Sequence, residues 1–483
     1  MDRAHGAIEE RVAMPPEHFQ QKWEPVLRPE MRQTLRIWIA RALLALALIA
    51  PLPALARPVL LISIDGLRPA DVLDAQRRGL NLPNLTTFVT TGSYARGVVG
   101  VLPTLTYPSH TTLITGVSPA KHGIVANNTF DPMHINDDGW YWYAEDNKAQ
   151  TLWDAAFLAR MTTGNVHWPV SVGARHITWN LPQIWRTGHP DDRKLVRALA
   201  TPGLVAELEA ARREGYADGK DETLAGDKLR AGFAQSLIRH HQPGFLTVYL
   251  TALDHQQHLT GPGSPEAHQA LEAIDAMVGD IVTIEHQFHP DAVVAVVSDH
   301  GFANVDTAIN LYRPFIDAGL VTIDPAGKIN GWTATPWATG GSFAIVLAHP
   351  EDGALRAKVA ALLARVAADP AAHIAQVITE PAIVAAGGNP RAAFYVNLKI
   401  GAVAAPFVGS GLPLVLPPVG YKGMHGYFPA APEMRSTFLI AGPGIAKGRD
   451  LGEIDMRAIA PTLAKVMGAS LPEAEKPALA VAP

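Results

Sequence analysis

Residues 58–69 read P-V-L-L-I-S-I-D-G-L-R-P, a nearly unbroken apolar and β-branched run that stops at Asp65-Gly66. A strand covered on both faces reads this way, because both sides of its pleat must be apolar. In open α/β sheets ligands collect at the carboxyl ends of strands, so a carboxylate at that edge is a candidate site residue. A single aspartate there also serves as an ordinary helix cap. Two further runs repeat the arrangement: residues 245–253 (F-L-T-V-Y-L-T-A-L) lead into Asp254, with His258 four positions on, and residues 292–298 (A-V-V-A-V-V-S) lead into Asp299-His300-Gly301. Capping explains the aspartates but not the histidines. The three runs predict an α/β protein, an α/β/α sandwich on a mostly parallel central sheet. Leu271, Ile274, Met277, Val278 and Ile281 recur at helical spacing and predict a helix covering that sheet.

One helical turn places Asp254 and His258 on a common face. The chain contains no cysteine, so any metal is held by His, Asp or Glu, a donor set that suits zinc ahead of manganese or iron. Two such clusters at one sheet edge imply two ions about 4 Å apart, the spacing that clamps both oxygens of an in-line displacement. Residues 101–128, V-L-P-T-L-T-Y-P-S-H-T-T-L-I-T-G-V-S-P-A-K-H-G-I-V-A-N-N, supply a hydroxyl to go with them. Pro108 fits a first helical turn, and Thr106 just ahead of it faces the positive end of the helix, a seat for phosphate. Taken alone, Thr106 reads first as an ordinary N-cap threonine.

Apolar residues make up 48% of the 483, charged residues 18%, and the formal net charge is -5, the profile of a folded globular protein with no electrostatic case for nucleic-acid binding. Residues 1–30 are polar and aperiodic, an extension or an upstream start-site artefact. Residues 31–56 then read as a signal peptide: Met31, Arg32, Arg36 and Arg41, a short apolar run over 42–50, Pro51 and Pro53, and Ala54-Leu55-Ala56. The run falls short of the roughly 20 residues that a spanning helix needs, which predicts cleavage, a periplasmic or secreted protein and no stable membrane span. Retention as an anchor is the alternative. The expected division is a catalytic domain over 57–475 and a tail over 476–483.

The stretches I-S-I-D-G-L-R, T-L-T-Y-P-S-H-T-T-L-I-T-G, K-H-G-I-V-A-N-N, D-H-Q-Q-H-L-T-G-P, S-D-H-G-F and M-H-G-Y-F-P resemble, in order, the type I phosphodiesterase or nucleotide pyrophosphatase/phosphodiesterase family of the alkaline phosphatase superfamily. The resemblance implies an alkaline phosphatase-like fold with a small cap insertion over about 303–420, and two zinc ions per chain. One ion is implied to take Asp65, Asp299 and His300 and to bridge to the nucleophile Thr106. The other takes Asp254, His258 and His425. Asn127 matches the family asparagine that hydrogen-bonds a phosphoryl oxygen. The implied reaction is hydrolysis of a phosphodiester or pyrophosphate bond in a small-molecule substrate through a phosphothreonine intermediate.

Some positions depart from the family pattern. Ser109 follows Pro108 where asparagine is common, Gln257 precedes His258 where glycine is common, and Ile184 falls where nucleotide-preferring members place a base-stacking tyrosine. Tyr107 is left as an aromatic wall for substrate. His110 and His122 are expected to be structural hydrogen-bonders, and His255 to point away from the face of Asp254 and His258. The run Trp140-Tyr141-Trp142-Tyr143 alternates as a strand does and suits packing, with a cage for a quaternary ammonium group as the alternative. An alkaline phosphatase-type monoesterase, a glycerophospholipid phosphodiesterase and an inactive zinc-stabilised binding protein are the competing functions. A sulfatase is disfavoured, since it needs a convertible Cys or Ser at the Thr106 position.

Overall fold

The structure is a computed structural model that describes residues 56–136, 139–184, 191–216, 222–406, 411–418 and 420–483. The extension over 1–30 and all but the last residue of the leader expected at 31–56 lie outside these residues, as does Trp185.

The central sheet is built from β1 (Val59–Ile64), β2 (Ser93–Tyr94), β3 (Thr163–Val166), β4 (Trp179–Leu181), β5 (Phe245–Leu250), β6 (Val293–Val297), β7 (Phe438–Ala441) and β8 (Arg449–Asp450), in the order β8–β2–β7–β6–β1–β5–β3–β4. β1 lies between β5 and β6 and is parallel to both, while β7 runs antiparallel to β6 and β2. Alternation along the strands sorts the core into two layers. Leu60, Ile62, Leu246, Val248, Leu250, Val294 and Val296 face one side; Leu61, Phe245, Tyr249, Val293, Ala295 and Val297 face the other.

Three helices cover the first face: α1 (Pro83–Thr91), through Leu85 and Phe88, α3 (Leu224–His241), through Phe233 and Leu237, and α5 (Pro265–Phe288). The α5 residues Leu271, Ile274, Met277, Val278 and Ile281 are buried there, as their spacing predicts. On the opposite face α2 (Thr106–Thr115) packs through Leu113 and Ile114, and α6 (Ile459–Val466) through Ile459, Ala460 and Leu463. Two helical layers around a mostly parallel sheet make the α/β/α sandwich of the alkaline phosphatase-like fold. Between β6 and β7 the chain forms a second, antiparallel sheet from Ala334–Ala338, Ser342–Leu347, Ala392–Leu398 and Ile374–Thr379, backed by the helix Gly353–Ala367. That sheet has its own apolar core, which includes Phe343, Ile345, Val359, Leu363 and Val396.

Three expectations are corrected by the structure. β5 stops at Leu250 rather than Leu253, because a new helix, α4 (Ala252–Thr260), begins there and takes Asp254 into its first turn. Residues 140–143 form no strand: the Trp142 N–H turns back to the Trp140 carbonyl at 3.0 Å, and only single bridges, Asn128 to Trp140 and Tyr143 to Val172, remain. Residues 476–483 are not a free tail. The Leu479 N–H donates to Thr462 Oγ1 at 2.8 Å, and Val481 is buried in the second core layer. Among the described residues no helix is long and apolar enough to cross a membrane.

Candidate active site

The carboxyl ends of β1 and β6 and the start of α4 bring the chemistry-bearing side chains to one edge of the sheet. Asp65, Asp299 and His300 form one group whose ligating atoms lie within 4.8 Å of one another; Asp254, His258 and His425 form a second. The His300 and His425 rings stack at 3.5 Å, so the groups adjoin. His300 Nε2 sits 3.3 Å from Asp65 Oδ1 and 3.1 Å from Asp299 Oδ2. His258 Nε2 is 3.3 Å from Asp254 Oδ2, and His425 Nε2 is 3.7 Å from Asp254 Oδ1.

Each imidazole is oriented from behind. The Nδ1–H groups of His258, His300 and His425 donate to the carbonyls of Gly423, Gly301 and Thr104 at 2.9, 3.1 and 3.1 Å, which turns all three Nε2 atoms toward the carboxylates. Metal-ligating histidines are held in this manner, with the tautomer fixed by the second nitrogen. Burial lowers His258 to about 4 and, with His300 and His258 nearby, holds His425 well below the ordinary imidazole range; both are therefore neutral.

The carboxylates show what the groups lack. Asp65 Oδ1, Asp254 Oδ1 and Asp299 Oδ2 are buried with no hydrogen-bond partner. Such atoms are costly unless something cationic meets them. Burial, followed by Asp254 and Asp299, drives Asp65 well above the usual carboxylate range; burial, followed by Glu222 and Asp299, does the same to Asp254. Burial also acts to raise Asp299, but His300 and His110 outweigh it and hold that carboxyl low. Among the described residues these carboxylates form ion pairs only with histidines. Neutral imidazoles and unpartnered carboxylate oxygens converging on two points fit two hard or borderline divalent cations.

Thr106 opens α2 at its first helical position, and its Oγ1 lies 3.3 Å from His300 Nε2. The N-cap alternative does not hold. Leu105 occupies the cap position, and the orphan N–H of Tyr107 is taken by Asn127 Oδ1 at 3.0 Å, so the threonine hydroxyl is left for the site. His110 secures this turn from below: its Nδ1–H donates to the Thr106 carbonyl at 2.8 Å, and its Nε2 accepts from Ser63 Oγ at 2.9 Å. His122 is likewise structural, between Thr112 Oγ1 and the Ile124 N–H, and His255 turns aside to Glu222 at 3.5 Å.

Tyr107 does not form the open aromatic wall expected of it. Its ring is 2% exposed, clustered with Ile124 and Val170 beneath Trp140 at 5.4 Å, because the turn that seats Thr106 points the next side chain inward. Ile184 is also buried, at 2%, within the first core layer.

Several residues around the site were given no role in the sequence reading. Tyr249 donates a short hydrogen bond to Asp65 Oδ2, and a lone tyrosine in an aliphatic strand is the signal that could have found it, since a buried phenol needs an acceptor. Gln257 donates to the Gly66 carbonyl at 3.0 Å while the Gly66 N–H reaches Asp299 Oδ1 at 3.2 Å, which ties α4 to the first group. Gly66 has φ +69°, and a Cβ there would stand 2.8 Å from Gln257 Nε2. A third feature, the loop after Asn127, carries Phe130, whose ring meets Trp332 at 5.7 Å and Trp337 at 5.1 Å under the Arg391 guanidinium.

The model of the type I phosphodiesterase / nucleotide pyrophosphatase family matches residues 59–407. A pyrophosphatase/phosphodiesterase of Schizosaccharomyces pombe is 30% identical over 254 residues, 51% of this chain and 44% of its own. Human ectonucleotide pyrophosphatase/phosphodiesterase family member 1 is 27% identical over 257 residues, 50% of this chain and 23% of its own. The matches thus span less than half the length of these curated relatives. Among solved structures, human ectonucleotide pyrophosphatase/phosphodiesterase 5 has the same fold, with a TM-score of 0.59 at 19% identity, covering 86% of this chain and 96% of that one. The murine counterpart, solved as an inactive variant in complex with AMP, superposes with a TM-score of 0.58 at 20% identity. With a family model matching well over half of its length, the chain belongs to the type I phosphodiesterase / nucleotide pyrophosphatase family.

Proposed function

We propose that this protein hydrolyses phosphodiester or pyrophosphate bonds of small molecules, with Thr106 as nucleophile and two zinc ions as cofactors. The observation that carries the proposal is the position of the Thr106 hydroxyl, at the positive end of α2 and against His300, beside two groups whose inward carboxylate oxygens have no partner. Asp65, Asp299 and His300 would hold one zinc, and Asp254, His258 and His425 the other. Bound there, the ions supply Lewis-acid charge that makes an alkoxide accessible at neutral pH and steadies a leaving oxygen.

The chain's own part follows from its geometry. Thr106 Oγ forms a bond to phosphorus as the bond to one ester oxygen breaks, and that oxygen leaves as the alcohol once it has gained a proton. Water then attacks the phosphothreonine, restoring the hydroxyl and releasing the monoester; one water is consumed overall. Asn127 commits its Oδ1 to the Tyr107 N–H, so its amide nitrogen is the end that can donate to a phosphoryl oxygen. His110 fixes the backbone on which the nucleophile sits.

A diester is favoured over a monoester because the stretch between Thr106 and Asn128 holds a single Lys or Arg to serve the extra charge of a monoester. Lys121, which lies between Thr106 and Asn128, directs its Nζ to the Glu473 carbonyl at 2.7 Å. Nucleotide-type diesters are the preferred class, in keeping with the AMP bound by a fold neighbour. The burial of Ile184 favours glycerophospholipid diesters as the second class, since that position offers no ring to stack on a base. We propose export of the protein through the leader at 31–56, and a cap role for the insertion over about 303–420.

The test is elemental analysis of the purified protein together with paired assays. About two zinc ions per chain are expected for a site of this kind, with kcat/KM higher for bis(p-nitrophenyl) phosphate than for p-nitrophenyl phosphate. Equal or reversed preference would move the assignment to a monoesterase. Loaded protein that cleaves neither compound would favour a silent binding protein.

A further inference from the structure

The start of α4 is capped from another helix. Asp227 on α3 is fully buried, and it receives the Thr251 N–H on Oδ1 at 3.0 Å and the Ala252 N–H on Oδ2 at 2.9 Å. Those are the orphan donors of the helix that carries Asp254 and His258, and Thr251 at the cap position supplies no side-chain cap of its own. Its hydroxyl is engaged elsewhere. Arg230, also fully buried, donates from Nη1 to Asp227 Oδ1 at 2.7 Å and to Thr251 Oγ1 at 2.9 Å. One buried ion pair thus fixes both the backbone and the side chain at the α4 N-terminus, two residues ahead of Asp254.

Burying two opposite charges gains little stability over an apolar pair of the same volume, so the Asp227–Arg230 pair is poor value as a mere fastening of α3. Its bonds instead set the position of a helix turn, and ligand atoms must be placed within about 0.2 Å to hold a metal well. We propose that Asp227 and Arg230 are positioning residues for the second metal group, setting Asp254 and His258 against His425 and thereby its affinity for the ion. The proposal rests on the two-metal reading above and extends it to residues that touch neither ion nor substrate.

The test is metal retention in the full-length protein. Asp227→Asn alone removes the charge that faces the buried Arg230 guanidinium and risks misfolding, so the informative variants are Asp227→Asn/Arg230→Met, which removes both charges, and Thr251→Val, which keeps the carboxylate and deletes one bond. Each is dialysed against graded zinc-buffered chelator, and zinc per chain is measured beside circular dichroism. The double variant is expected to keep its spectrum yet bind one ion about 10- to 100-fold more weakly, the usual cost of losing an outer partner of a ligand. Its kcat should recover with added zinc, which a merely structural defect would not allow. Thr251→Val should weaken the same ion by a smaller factor. Two folded variants that both retain two ions as wild type does would overturn the inference. Wild-type protein that binds no divalent metal would instead overturn the two-metal reading beneath it.

Discussion

Thr106 does little for folding that a smaller residue could not do, since its hydroxyl makes no cap and among the described residues meets only His300 Nε2, at 3.3 Å. Thr106→Ala should therefore keep the wild-type melting temperature and zinc content while losing at least about 1,000-fold in kcat, because nucleophile and attack geometry vanish together. Thr106→Ser should retain part of the activity. Steady-state kinetics beside a thermal melt checks both, and near-normal turnover in the alanine variant would end the covalent account. Tyr249 acts at the same scale from behind Asp65. Tyr249→Phe keeps the ring that packs in the second core layer but removes the phenol, so about 10- to 100-fold weaker retention of one zinc is expected with little change in folding. Unchanged retention in a chelator titration would show that Asp65 needs no such support. Asp65, Asp254, His258, Asp299 and His300 were legible in the sequence because strand ends advertise them, whereas His425 and the role of Thr106 were implied only by the family resemblance. Of their outer partners, Tyr249 left a trace as a lone tyrosine in its strand and Gln257 as a departure from the family pattern, but Asp227, on a helix well ahead of Asp254, advertises nothing on its own.

Among the elements, α5 illustrates what periodicity does and does not convey. Its apolar stripe was plain in the sequence, and Ile274 is indeed fully buried against the sheet. Ile274→Ala should destabilise the protein by about 2–5 kcal/mol, read in denaturant unfolding, and leave kcat/KM of the folded protein unchanged. A selective loss of activity would mean that α5 does more than cover the sheet. The start of α4 and the loop over residues 140–143 were misread for a common reason: both depend on partners far along the chain. β5 stops three residues short of the expected Leu253 because Asp227 caps the start of α4 at Ala252, and the aromatic loop turns away from strand geometry because the Tyr141 N–H is taken by the Asn127 carbonyl at 3.1 Å. Apolar pattern alone cannot report such hydrogen bonds.

For the whole molecule, the sheet and its two helical layers could be read from three strand runs and one helix, because alternation and burial on both faces are local properties. The packing of residues 476–483 was not, since Val481 is held by contacts that the tail's composition does not announce. Among the described residues three buried carboxylates have no Lys or Arg partner, so on the two-metal proposal folding would depend on the bound ions. Metal-free protein should melt at lower temperature, and added zinc should raise the melting temperature in step with its concentration, as binding to the native state alone requires; a melting temperature indifferent to zinc and to chelator would contradict this. Transient phosphorylation of Thr106 during turnover has a stereochemical signature at phosphorus. A chiral phosphorothioate diester hydrolysed in isotopically labelled water should give a product with net retention of configuration, because two in-line displacements each invert the centre. Net inversion would show that water attacks the substrate directly and that Thr106 is not the nucleophile.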